Sequence, residues 1–321
     1  MVTLGLIASL GTLGNAHATW TTNINYVRAA NLPPPDGTRR VLLLDLAARN
    51  ARGNDLIIVD RAVSAFREKA RSNEAFELVF VPTQNNPDLS VDPSWEELAK
   101  LAEQNQAQAI ISFDSLSYEL GQYQHDLVDV TNTVNGVQVV ENRHRVSRSV
   151  KGNLGIRYMD PFNRVMLFDD TYYASRTASA TSKARIRARE QVAPEVSKIK
   201  PGLAVSCANG FANEVFAVRI KGRRSFFANG KLKEGRRYAE VGKWVDARKA
   251  WKEHWNAGGK RGMKAQYNVA LTFEVMGRPD KALETLDPIV GRWNKDIVKS
   301  YYRQLKARVD NERRLEDQGL K

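Results

Sequence analysis

Two stretches of this sequence carry the same residue classes at the same spacing, and they constrain its C-terminal half more than any other feature. Aligning Gly242 with Gly277 sets Gly235 on Ala270, Tyr238 on Phe273, Ala247 on Ala282 and Trp251 on Leu286, each at an offset of 35. A fixed period of this length is the mark of a repeated helical hairpin. Small residues let two helices approach, the aromatic fills the space between them, and a glycine lets the chain reverse. Asp246 and Asp280 stand just ahead of the second-helix alanines, where a negative charge favours a helix start. The two units span about 228–257 and about 263–292.

The N-terminal half reads differently. "RRVLLLDLA" is a short continuous apolar run, as expected of a strand buried on both faces. "DLIIVDRAVSAFREKARS" puts Leu56, Val59, Val63, Phe66 and Ala70 on one helical face. "FELVFVP" is a second strand. "DPSWEELAKLAEQ" starts a helix, with Asp92 expected as its N-cap and Pro93 in the first turn. "AQAIISFDSLSYEL" is a third, longer strand, and the β-α-β-α-β order implies a parallel or mixed sheet covered by helices. Asn135-Gly136 between β-branched runs and Asp160-Pro161-Phe162-Asn163 mark two antiparallel hairpins.

From about Ser182 the chain reads as helical, with breaks expected at Pro194 and at Pro201-Gly202. The linker is expected within "RTASATSKA", residues 176–184. The fold class is therefore α+β: a mixed α/β sheet domain with long hairpins over 38–178, then a helical domain over 184–310. The first residues, 1–18, read as a signal peptide, an apolar run ending in Ala16-His17-Ala18. No later stretch is long and apolar enough for a membrane span.

Formal net charge is +13 and the pI is about 9.8, which favours anionic partners. The densest basic segment is "RIKGRRSFFANGKLKEGRR". Arg219, Lys221, Arg223, Arg224, Lys231, Lys233, Arg236 and Arg237 are its candidate contacts to a partner or anion, read as a helix face. A protein or peptide partner is expected, an anionic envelope polymer or lipid is the second option, and nucleic acid is disfavoured by export. The groove of the repeat is expected along Arg237, Glu240, Gln266 and Glu274.

No catalytic, cofactor or metal motif is present, so the expectation is a non-enzyme without a cofactor. His17, His125, His144 and His254 show no metal-ligand spacing, there is no phosphate-binding glycine loop, and Cys207, the one cysteine, reads as a buried structural residue.

Gly235 to Leu286 resembles the tetratricopeptide repeat, whose unit is about 34 residues. As a whole the chain resembles an uncharacterised family of exported bacterial proteins, on the lines "RRVLLLDLA", "RRSFFANGKLKEGRRYAEVGKWVDARKAWKEHW" and "KAQYNVALTFEVMGRPDKALETL". Its sheet domain is more distantly similar to the periplasmic domain of the curli secretion channel lipoprotein. The resemblance implies architecture and an envelope location, periplasmic or outer-membrane associated. The expected function is a scaffold or adaptor that binds a protein or peptide through the repeat. The alternative is a subunit of an outer-membrane secretion or assembly complex.

Overall fold

A computed structural model describes residues 19–35, 37–73, 76–86 and 88–319; the expected signal peptide over 1–18 lies outside them. The chain divides into two units, one of residues 30–217 and one combining the segment up to Ala29 with the chain from Val218 onward.

After strand β1 (Thr19–Arg28), which belongs to the second unit, the sheet unit runs β2 (Arg40–Leu44), α1 (Leu46–Asn50), α2 (Asn54–Arg71), β3 (Glu77–Val81), α3 (Trp95–Gln104), β4 (Ala109–Val134), β5 (Val137–Asp160), β6 (Val165–Ser182) and α4 (Arg185–Val215). The strand order is β3-β2-β4-β5-β6, with β3, β2 and β4 parallel and β5 and β6 antiparallel. β2 is apolar on both sides because both sides are covered. Val41 and Leu43 pack with α2 and α4, whereas Leu42 and Leu44 pack with Leu98, Leu101 and Ala102 of α3. The N-cap of α3 is Ser94, not Asp92; its hydroxyl accepts from the Glu97 N–H while the Glu97 carboxylate accepts from the Ser94 N–H, a reciprocal capping box.

β4 continues far beyond the end of β2, and β5 and β6 follow it outward. Asn135 and Gly136 turn the first hairpin with φ of 49° and 80°, the positive values a two-residue turn needs. At the second turn the Asp160 carboxylate accepts from the N–H groups of Phe162 and Asn163 at 3.1 and 3.0 Å.

The segment read as a linker, 176–184, is instead the end of β6 leading into α4. α4 is continuous through Pro194 and Pro201, and it belongs to the sheet unit rather than to the helical half. A helix-interior proline costs about 3 kcal/mol. Ala188, Val192, Val196, Leu203, Cys207, Phe211 and Val215 form one buried stripe against the sheet, and each larger side chain contributes about 1.5–3 kcal/mol. Packing therefore outweighs both prolines. Burial also pushes the Cys207 thiol up to about 11.

The second unit contains β1, β7 (Val218–Phe227), α5 (Lys233–Glu240), α6 (Trp244–Lys252), α7 (Gly259–Val275), α8 (Pro279–Val290) and α9 (Asp296–Asp317). β1 and β7 pair antiparallel from Thr19 with Phe227 to Arg28 with Val218. The densest basic segment thus begins as a strand, not a helix face, and the domain boundaries of 38–178 and 184–310 do not follow the packing. Among the described residues no helix is long and apolar enough to cross a membrane.

Phe211 anchors α4 by ring contacts to Phe66, Phe168 and Tyr172 at 5.5–5.6 Å. Phe211→Ala should lower unfolding free energy by about 3–5 kcal/mol, measured by urea denaturation.

Candidate binding surface of the helical unit

The helical unit is built from two equivalent turns. Gly242 and Gly277 both sit at φ 76°. Lys243 N–H donates to the Tyr238 carbonyl and Arg278 N–H to the Phe273 carbonyl, each at 2.9 Å. Ala247, Trp251, Ala270, Ala282 and Leu286 are buried, as is Gly235, while Tyr238 and Phe273 are partly buried against the same core. The two copies exchange volume. A Cβ added to Gly235 would overlap the Trp251 indole; in the second copy the matching positions hold Ala270 and the smaller Leu286, both buried in the same core. Trp251 also donates its Nε1–H to the Leu232 carbonyl at 3.1 Å.

A two-stranded ribbon is marginal alone, and buried polar side chains fix this one to the helices. Asn268 of α7 accepts from the Phe227 N–H at 2.9 Å and donates to its carbonyl at 2.6 Å. Asn311 of α9 accepts from the Ala29 N–H and donates to the Val27 carbonyl, both at 2.8 Å. Between them lies the Glu274 carboxylate, fully buried. It accepts from Arg224 at 3.0 and 3.1 Å and from Arg308 at 3.0 Å. The Arg308 guanidinium also lies 4.9 Å from the Tyr26 ring centroid. Burial pushes the neighbouring Tyr301 hydroxyl well above its ordinary pKa.

This arrangement sorts the basic candidates. Strand alternation turns Trp20, Ile24, Tyr26, Arg224 and Phe226 inward. Arg219, Lys221 and Arg223 share the opposite, exposed face, beside Asn23, Asn25 and Val27. Cations two residues apart on a strand stand about 6.5–7 Å apart, and no ion pair among the described residues engages these three. Arg224 is spent on Glu274. Arg236 pairs with Glu240 at 3.1 Å and covers the Trp20 ring at 4.1 Å. Lys231, Lys233 and Arg237 are exposed. Of the expected groove, Glu274 is buried, Glu240 is paired, and Gln266 donates to the Trp255 carbonyl at 3.4 Å, leaving Arg237 outward.

The sheet unit holds a histidine pair that sequence spacing concealed. His125 Nε2 lies 2.9 Å from His144 Nδ1, because the β4–β5 register brings together residues 19 apart. Among the described residues no group of three or more His, Cys, Asp or Glu is placed to hold a metal ion.

A family model described as a domain of unknown function (DUF8603) matches residues 30–227. It spans more than half of the chain, and the chain belongs to that family. A second domain of unknown function (DUF6340) matches residues 233–307. No curated protein matches the chain. Among solved structures it is similar to a PelC dodecamer from Paraburkholderia phytofirmans, at 11% identity and a TM-score of 0.21, with 59% of this chain and 95% of that chain covered.

Two substitutions test the packing. Alanine in place of a mid-helix glycine normally stabilises by about 0.5–1 kcal/mol, but Gly235→Ala should destabilise by about 1–3 kcal/mol through overpacking. Gly291→Ala, where a Cβ meets nothing within 4 Å, should not destabilise. Combining Gly235→Ala with Trp251→Leu should cost less than the two singles summed, as read from thermal unfolding. Glu274→Gln leaves two buried guanidiniums short of their counter-charge and should cost about 3–5 kcal/mol by denaturant titration.

Proposed function

We propose that this member of the DUF8603 family is a non-catalytic adaptor of the bacterial cell envelope, whose helical unit binds an acidic segment of a protein partner. The observation that supports this reading is the row Arg219, Lys221 and Arg223 on the exposed face of the β1–β7 ribbon. Three like charges held side by side repel one another, so a polyanion crossing the row relieves that repulsion and steers its own approach. The ribbon is fastened from behind by Asn268, Asn311 and Glu274, which presents the row without an ordering cost on binding. Paired helices of tetratricopeptide type supply the rigid support, with Gly235, Gly242, Ala247, Trp251 and their counterparts acting as packing residues rather than contacts.

A second reading, a subunit of an outer-membrane secretion or assembly complex, is favoured by the hairpin arm. Leu127, Val137 and Val140 on it are each more than 60% exposed, and exposed apolar side chains of this kind suit an interface. A soluble monomer in size-exclusion chromatography would count against that second reading.

Cys207 is buried, so a dye can be placed selectively on Asn25→Cys, the cross-strand partner of Lys221 on the same ribbon face. Polyglutamate should shift its emission, and binding should weaken as salt is raised from 0.05 to 0.5 M, because the Debye length shortens to about 4 Å. Arg219→Glu, Lys221→Glu and Arg223→Glu together should abolish the response while leaving the melting temperature unchanged. A response that survives the triple variant would sink the proposal.

A further inference from the structure

The sheet unit leaves one strand edge open beside a set of cations that no ion pair among the described residues engages. Pairing of β2 with β4 stops at Leu44 and Ser112, and from there β4 is bonded on its β5 side while no strand of the described residues occupies the other. The position β2 would have taken had it continued is a cleft of about 400 Å³, lined by Ala51, Asp55, Val59, Ser115, Tyr118 and Lys200 among others. α4 walls its far side, and the Tyr118 hydroxyl donates to the Lys200 carbonyl at 3.1 Å.

Along this seam cations and tyrosines alternate. The Lys200 ammonium lies 5.0 Å from the Tyr118 ring centroid. Farther along, at Tyr123 of β4, the Arg148 guanidinium of β5, whose Nε–H donates to the Gly121 carbonyl at 2.8 Å, and the Arg189 guanidinium of α4 lie 4.7 and 4.6 Å from the Tyr123 centroid. Two guanidiniums converge on one ring, and no ion pair among the described residues engages Arg148, Arg189 or Lys200. Nearby carboxylates are committed elsewhere: Glu119 to Lys151 and Asp126 to Arg145. Asp55, at the Lys200 end of the cleft, is in no ion pair among the described residues.

We infer that an extended acidic peptide segment of a partner protein binds here, adding as a strand to the open edge of β4. Its backbone pairs with the edge, as in other strand-addition complexes. Its carboxylates meet Arg148 and Arg189, and the ring faces of Tyr118 and Tyr123 support the side chains between them. Asp55 repels an acidic residue at the opposite end, so the negative charge belongs toward Tyr123. The surface is separate from the β1–β7 ribbon and does not depend on its function.

The probe is a fluorescein-labelled octapeptide of alternating glutamate and threonine, followed by fluorescence anisotropy with the full chain. Arg189→Glu with Lys200→Glu should weaken binding by at least about tenfold, with unchanged circular dichroism. Methylating alternate backbone nitrogens of the peptide, which removes edge hydrogen bonds but no charge, should weaken it comparably. The ribbon triple variant should keep the methylation-sensitive part of this binding, which separates failure here from failure of the ribbon reading. Equal binding of the methylated peptide, or equal competition by oligothymidylate, would reduce the seam to a general polyanion surface and overturn the proposal. So would undiminished binding by the seam variant, or no binding at all.

Discussion

Antiparallel pairing of β1 with β7 sets the plan of the chain. It brings Arg28 opposite Val218, so the two ends of the chain segment that makes up the helical unit's ribbon lie side by side. Ten residue pairs of ribbon have little stability of their own, which makes the helices responsible for holding it. The fastening is polar because a ribbon presents backbone groups at its edges. Asn268 and Asn311 satisfy those groups, and the Glu274 carboxylate neutralises the inward arginine that strand alternation forces to exist. A buried charge cluster of this kind contributes little net stability, but its partners cannot be removed singly without leaving an uncompensated charge. Register is thereby fixed, and with it which cations face out.

How much of this was legible follows from sequence separation. The turn glycines, the small residues and their aromatic partners lie within one hairpin, and each obeys a local rule, so a period was visible. The buried strand β2 and both hairpin turns were legible for the same reason. β1 and β7 were not, since their partnership spans most of the chain and β1 alone is a polar stretch without strict apolar alternation. Basic residues between phenylalanines look the same on a helix or a strand until a partner is known. The continuity of α4 is hidden in sequence because the proline rule is local, whereas the stripe from Ala188 to Val215 that overrides it is a property of the whole sheet face. Glu274 reads in sequence as an exposed groove residue, yet it is buried: a glutamate on a helix surface and one beneath two arginines have the same spelling.

Charge is distributed by the same alternation. In the sheet unit, acidic residues on the strands mostly find a cross-strand or neighbouring cation, as Asp126 does with Arg145 and Asp114 does with Arg157. Glu141 meets both Arg143 and Lys183, and these two hold its carboxyl below the usual range. Surface pairs of this sort are worth little individually, yet they determine where the excess positive charge goes. Among the cations left over, Arg219, Lys221 and Arg223 share one ribbon face, and Arg148, Arg189 and Lys200 share the seam beside β4.

The seam also solves a problem that a long strand creates. An open edge invites pairing with any strand, and folded proteins limit it with bulges, charges or cover. Register shifts in β4 fall between Phe113 and Ser115 and again between Leu120 and Tyr123. They bound a short regular stretch from Ser115 to Leu120, in which Glu119 is the only charged residue. Beyond the second shift the edge carries His125, Asp126 and Asp129, which discourage indiscriminate stacking. The permissive stretch is therefore the part of the edge walled by α1, α2 and α4, where only a narrow extended chain can enter. A template this short favours a single short segment over the open-ended pairing that an unbounded edge of the same strand would allow.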